Sequence, residues 1–130
     1  MTRELMQGSP ANPQGTHLAR LGTEPPHPDA AVHGGTVHLA GQVADDLNKN
    51  IEGQTHEVLA SVDHWLGQTG TDKSRILMCQ VFRADIKDFD GMNRVRNAWV
   101  PPAPAPPRVA VEAKLARPGW LVEMVVTAAL

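Results

Sequence analysis

The stretch PPAPAPPRVAVEAKLARPGWLVEMVVTAAL, residues 101–130, decides what kind of fold the chain builds. Five of its first seven residues are proline, and the run ends on Arg108. If the run were a linker, the 23 residues from 108 to 130 would have to fold alone, and so short a piece cannot bury its own core. If it were a ligand for a polyproline-binding module, as the P-x-x-P spacings of Pro101, Pro104 and Pro107 allow, it would sit in a free tail. Instead it lies between two ordered elements. The remaining reading is a stiff connector, which lowers the entropy lost on folding and fixes how Arg108 enters the next strand.

Working outward, RVAVEAKL (108–115) and LVEMVVTAAL (121–130) read as two strands joined by ARPGW. Upstream, DFDGMNRVRNAWV places Phe89, Met92, Val95, Arg96 and Trp99 along one side of a short helix, with Asp88 at its N-cap and the double proline at 101–102 ending it. RILMCQVFRADI (75–86) is apolar on both faces at its centre, as a strand covered on both sides would be. Ile51, Val58, Leu59, Val62, Trp65 and Leu66 recur at helical spacing, and the glycines of GQTGTDKS close that helix. TVHLAGQV (36–43) alternates as a strand, with Gly41 marking a bulge or a close approach to the backbone. HLARLG (17–22) and AAVH (30–33) are short extended pieces. The order predicts one α+β domain over 17–130, a mixed sheet with two helices on one face. Residues 1–16, mixed in Pro, Gly, Asn and Gln, read as a flexible segment.

With 12 Lys+Arg against 14 Asp+Glu, the net charge of −2 supplies no field for phosphate backbones or anionic membranes. Nucleic acid and membrane are therefore not expected partners. The single cysteine, Cys79, cannot form an internal disulfide, and no long apolar run or signal-like segment opens the chain, so a cytoplasmic protein is expected. Cys79 lies mid-strand among apolar residues, as an inert buried thiol does. The six histidines do not assemble a metal-ligand pattern: His33 and His38 straddle a turn, and His56 and His64 lack a carboxylate to complete a site.

Two charges stand out. Arg108, Ala110 and Glu112 share one face of their strand, and Glu123 is the one charge in an apolar strand, costly unless paired, hydrogen-bonded or open to a cleft. If the two strands pair as a hairpin, Arg108 and Glu123 fall near the same end. A guanidinium and a carboxylate around a shared space would suit a small carboxylate substrate. A structural ion pair would use the same two residues.

The segments APPRVAVEAKLARPGWLVEMVVTAAL, DFDGMNRVRNAWV, RILMCQVFRADIKDF and HGGTVHLAGQV together resemble the reactive intermediate deaminase family, RidA/YjgF, in order from about residue 27 to 130. Within it, DAAVHGGTVHLAG and the short connector to APPR resemble the YoaB-like branch. The resemblance implies a chorismate-mutase-like fold and a homotrimeric barrel with clefts between subunits. It also implies hydrolysis of 2-imino acids, such as 2-iminopropanoate and 2-iminobutanoate, to 2-keto acids and ammonia without metal or cofactor. Arg108 would then hold the substrate carboxylate bidentately, and Glu123 would activate water. His27, Asn93, Gly41 and Ala110 match positions around the family's cleft. The chain departs from the best-studied branch in having His27 for a tyrosine, Ala110 for a cysteine and Ala40 for a serine. These departures leave open a non-catalytic trimer that binds a small carboxylate metabolite.

Overall fold

A computed structural model of the chain describes residues 18–22, 28–101 and 105–130. Seven strands form one mixed sheet: β1 (Ala19–Leu21), β2 (Ala30–His33), β3 (Thr36–Leu39), β4 (Gln42–Val43), β5 (Ile76–Arg83), β6 (Arg108–Glu112) and β7 (Val122–Ala129). Helix α1 (Ile51–Gln68) and helix α2 (Phe89–Trp99) cover one face. The predicted α+β layering holds.

The strand order is β1-β2-β3-β7-β5-β6, with β4 also paired to β7. The hairpin between β6 and β7, which would have set Arg108 and Glu123 near one end, therefore does not form. β5 lies between them, parallel to β6 and antiparallel to β7. The longest apolar strands take the centre, where both edges are paired, and β6 is left at the edge. The parallel pairing of β5 with β6 needs a crossover, and α2 with the proline run supplies it.

β2 and β3 meet in a two-residue turn whose central residues, Gly34 and Gly35, both have positive φ (60° and 83°), the geometry that matches strand twist. The predicted strand over 36–43 is broken. His38 pairs with Thr127 and Gln42 with Met124, so three residues, Leu39 to Gly41, face two, Val125 and Val126. This one-residue bulge reverses the alternation, so Gln42 turns into the buried side instead of away from it.

Helix α1 starts at Asn50, whose side chain accepts from Gly53 N–H, and ends in a Schellman motif: Thr71 N–H donates to Leu66 O and Gly70, at φ 91°, to Gly67 O. Buried Gln54 ties it to the loop before β7, donating to Gly119 O and accepting from Leu121 N–H. Asp88 sits at the N-cap of α2 but makes no side-chain cap bond; Asp85 instead caps the 3-10 turn Ile86–Asp88 ahead of it. The core lies between helices and sheet, with Leu21, Val37, Val58, Val62, Leu66, Val81, Met92 and Met124 among its fully buried members. β5 is covered on one side only: Cys79, Val81 and Arg83 are buried, while Gln80 and Leu77 are exposed. Among the described residues no helix is long and apolar enough to cross a membrane.

Candidate functional site

Register and alternation place Arg108. It pairs with Cys79, so it shares the helix-covered face with Cys79, Val81, Arg83 and Ala110. On α2, Phe89, Asn93 and Arg96 stand four and three residues apart, one row along the helix, and this row lies over the β5–β6 edge. The Arg108 guanidinium donates to Asn93 Oδ1 at 2.5 Å, and its carbon lies 5.9 Å from the centre of the Phe89 ring. Arg83 stacks on the same ring at 4.8 Å. Burial, then the charges of Arg96 and Arg83, push the Arg108 pKa down. The half-buried Ala110 packs against the core beside it.

Glu123 lies elsewhere. It pairs with Phe82 and Val43, which puts it on the sheet face away from the helices. A Cβ added at Gly41 would fall on Glu123 Oε2, so the glycine of the bulge is what lets the carboxylate lie there. The bulge itself is held from both sides. Gln42 Nε2 donates to Ala40 O at 3.0 Å, Ser61 Oγ donates to Gln42 Oε1, and Ala40 N–H donates to Asp29 O at 2.8 Å.

The expected meeting of Arg108 and Glu123 therefore does not occur within one chain. They lie two strands and three register positions apart, roughly 14 Å at the backbone, and on opposite faces of the sheet. The structure brings Arg108 to Asn93 and Glu123 to Gly41, in two separate places. His27 lies outside the described residues. Arg83 joins Arg108 at Phe89, and Arg96 lies beside Arg108 and Cys79; neither was anticipated as a site residue. Their signal was available, since Arg83 falls at an inward position of an apolar strand and Arg96 on the apolar side of α2.

Cys79 is buried, and burial pushes its thiol pKa up; Arg96 and Arg108 beside it pull the other way and do not prevail. Trp65 and Trp99 pack on the core as anticipated. Trp120 donates its indole N–H to Ala44 O at 3.2 Å and stacks under Arg117.

A family model described as Endoribonuclease L-PSP matches residues 18–130. A RutC family protein from Haemophilus ducreyi is 47% identical over 102 residues, which cover 78% of this chain and 87% of that protein. The RutC family protein YoaB of Escherichia coli is 35% identical over 113 residues, 87% of this chain and 98% of that one. The crystal structure of a YjgF family member from Neisseria meningitidis matches with a TM-score of 0.84 and 37% identity over 88% of this chain and 95% of that chain. A match of this length and identity, over the elements that carry Arg108, Asn93, Gly41 and Glu123, means that the chain belongs to the Endoribonuclease L-PSP family, among the proteins named YjgF and RutC, YoaB included.

Proposed function

We propose that the protein is a deaminase that hydrolyses 2-imino acids to 2-keto acids and ammonia in clefts between identical subunits. Family membership supports a deaminase-type role, and the observation that carries the reading is the Arg108 guanidinium, oriented by Asn93 and otherwise free among the described residues. A fork held in this way suits a carboxylate, which accepts two parallel N–H bonds.

In the reaction, water adds to C2 of the imine while the Glu123 carboxylate accepts a proton from it. Glu123 passes that proton to the imine nitrogen to complete the carbinolamine, then takes the carbinolamine hydroxyl proton and delivers it to the amine, and the C–N bond breaks as the C2 carbonyl forms and ammonia leaves. Arg108 holds the α-carboxylate and so fixes where C2 lies. Because Arg108 and Glu123 of one chain face opposite ways, a cleft containing both takes Glu123 from a neighbouring copy. The open sheet face supports such an assembly: Leu77 (48% exposed), Val109 (47%) and Val111 (39%) are large apolar side chains that a second copy would cover. A homotrimer closes this arrangement with three equivalent clefts.

The family model is described by an endoribonuclease, and a related crystal structure from Salmonella typhimurium by a putative translation initiation inhibitor. On this chain Arg83 and Arg96 are buried and Arg108 half-buried rather than arrayed along the surface, and the net charge is −2, which favours a small anion over a polynucleotide.

The test generates 2-iminopropanoate and 2-iminobutanoate in situ with an amino-acid oxidase and follows their loss. Wild type is expected to speed it, and Arg108→Ala and Glu123→Ala, with unchanged melting transitions, to lose that effect. No acceleration by a folded wild-type trimer would instead leave a protein that binds a carboxylate without turning it over.

A further inference from the structure

Three guanidinium groups, Arg83, Arg96 and Arg108, gather where α2 crosses β5 and β6, and none forms an ion pair among the described residues. Arg83 is 7% exposed and Arg96 5%. Nε and Nη1 of Arg83 and Nε of Arg96 are buried without a hydrogen-bond partner among the described residues. Two of the three charges flank one ring, Phe89, within 6 Å of its centre.

The nearby carboxylates are otherwise placed. Glu112 pairs in register with Arg83, but its Oε1 accepts from Ile86 N–H at 2.9 Å. Asp85 accepts from Lys87 N–H and forms an exposed pair with the Lys87 ammonium. Asp90 stands in the wall of an open depression of about 430 Å3 that Arg83, Ile86, Lys87 and Phe89 also line. Burying like charges with unpaired N–H groups is strongly unfavourable unless an anion satisfies them. A single α-carboxylate on Arg108 faces Arg96 as well but leaves Arg83, four residues further along β5, unanswered.

We infer that the ligand of this site carries a second carboxylate: a short 2-imino or 2-keto diacid, with its α-carboxylate on Arg108, beside which Arg96 lies, and its distal carboxylate at Arg83. The inference rests on the reading of Arg108 as the α-carboxylate holder, and it specifies the substrate class of that site. The depression beside Arg83 gives the distal end its way in, with the Lys87 ammonium at the rim.

Isothermal titration of the full chain with 2-oxoglutarate and 2-oxobutanoate, keto acids that differ in the distal carboxylate, tests it. Wild type is expected to bind the diacid at least tenfold more tightly. Arg83→Met, which keeps the aliphatic stem and removes the charge, is expected to bring the two affinities within twofold, Arg96→Met to weaken both acids alike, and Arg83→Lys to keep part of the preference. Equal affinity or no binding of either acid to wild type, an undiminished preference in folded Arg83→Met, or competition by inorganic phosphate as strong as by 2-oxoglutarate each overturns it. If a methionine variant does not fold, the wild-type comparison and the lysine variant still decide. Parallel hydrolysis assays with the imines of glutamate and 2-aminobutanoate separate the two readings. Turnover of both without discrimination in binding defeats the diacid alone; discrimination in binding without turnover supports the diacid and defeats hydrolysis alone.

Discussion

Glu123 lies where it does because residue 41 has no side chain. Gly41→Ala should displace the carboxylate while leaving the buried Gln42 bonds intact, so the expected result is a loss of roughly 10²-fold in imine hydrolysis, the lower end of a general acid–base contribution, with a melting temperature close to wild type. Cys79 makes the opposite kind of prediction. With its pKa raised by burial, the thiol stays protonated at neutral pH, and iodoacetamide should leave it unmodified in the native protein at pH 8 but label it fully in urea. Arg108 could be singled out from sequence because the proline run ends on it, and Glu123 because an isolated charge in an apolar strand is conspicuous. Arg83 and Arg96 carry the same anomaly and escaped it. Hydrophobic periodicity counts apolar residues, and an arginine at an inward position reads as an interruption rather than as a buried charge.

The elements themselves were largely legible. Helix α1 ends two residues beyond the last of the apolar repeats, where the Gly70 cap stops it, and α2 ends before the prolines as anticipated. Alternation alone does not show the bulge at 39–41, since one extra residue reverses every later side chain; it was Gly41 inside the strand pattern that marked it. Gln54 was also silent, being a polar residue in a helix whose three bonds are formed with Lys49, Gly119 and Leu121. Gln54→Leu keeps the volume and strands Leu121 N–H and Gly119 O; urea unfolding should show a loss of about 2 kcal/mol. Outside the core, Glu57 is held below the ordinary carboxylate range by Lys49 and by the N–H groups of Asp45 and Asp46. A lowered folded pKa means that this contribution is complete above the ordinary glutamate value and is lost as pH falls through the folded one. Glu57→Gln should therefore flatten the acid side of a stability–pH profile and change little below it.

At the scale of the molecule, the sequence reading failed where strand partners are chosen. Consecutive strands usually pair, which favoured a β6–β7 hairpin, but the apolar β5 competes for β7 over its whole length and wins. That choice separates Arg108 from Glu123 and makes the proposed cleft a property of an assembly. If the proposed assembly holds, wild type runs as a trimer by light scattering on size exclusion, and Val109→Lys on the open face is expected to give monomer and to abolish the proposed imine hydrolysis while the isolated chain stays folded. The central position of β7 has a further consequence, for biosynthesis. β7 joins the β1–β2–β3 meander to β5, yet it follows every other strand in the sequence. A ribosome therefore releases both halves of the sheet with their inner edges bare before the strand that unites them emerges, a window in which nascent chains can pair with one another instead. A chain stopped before Val122 has no route to the native sheet, and chaperone dependence during synthesis should end only once β7 has cleared the exit tunnel.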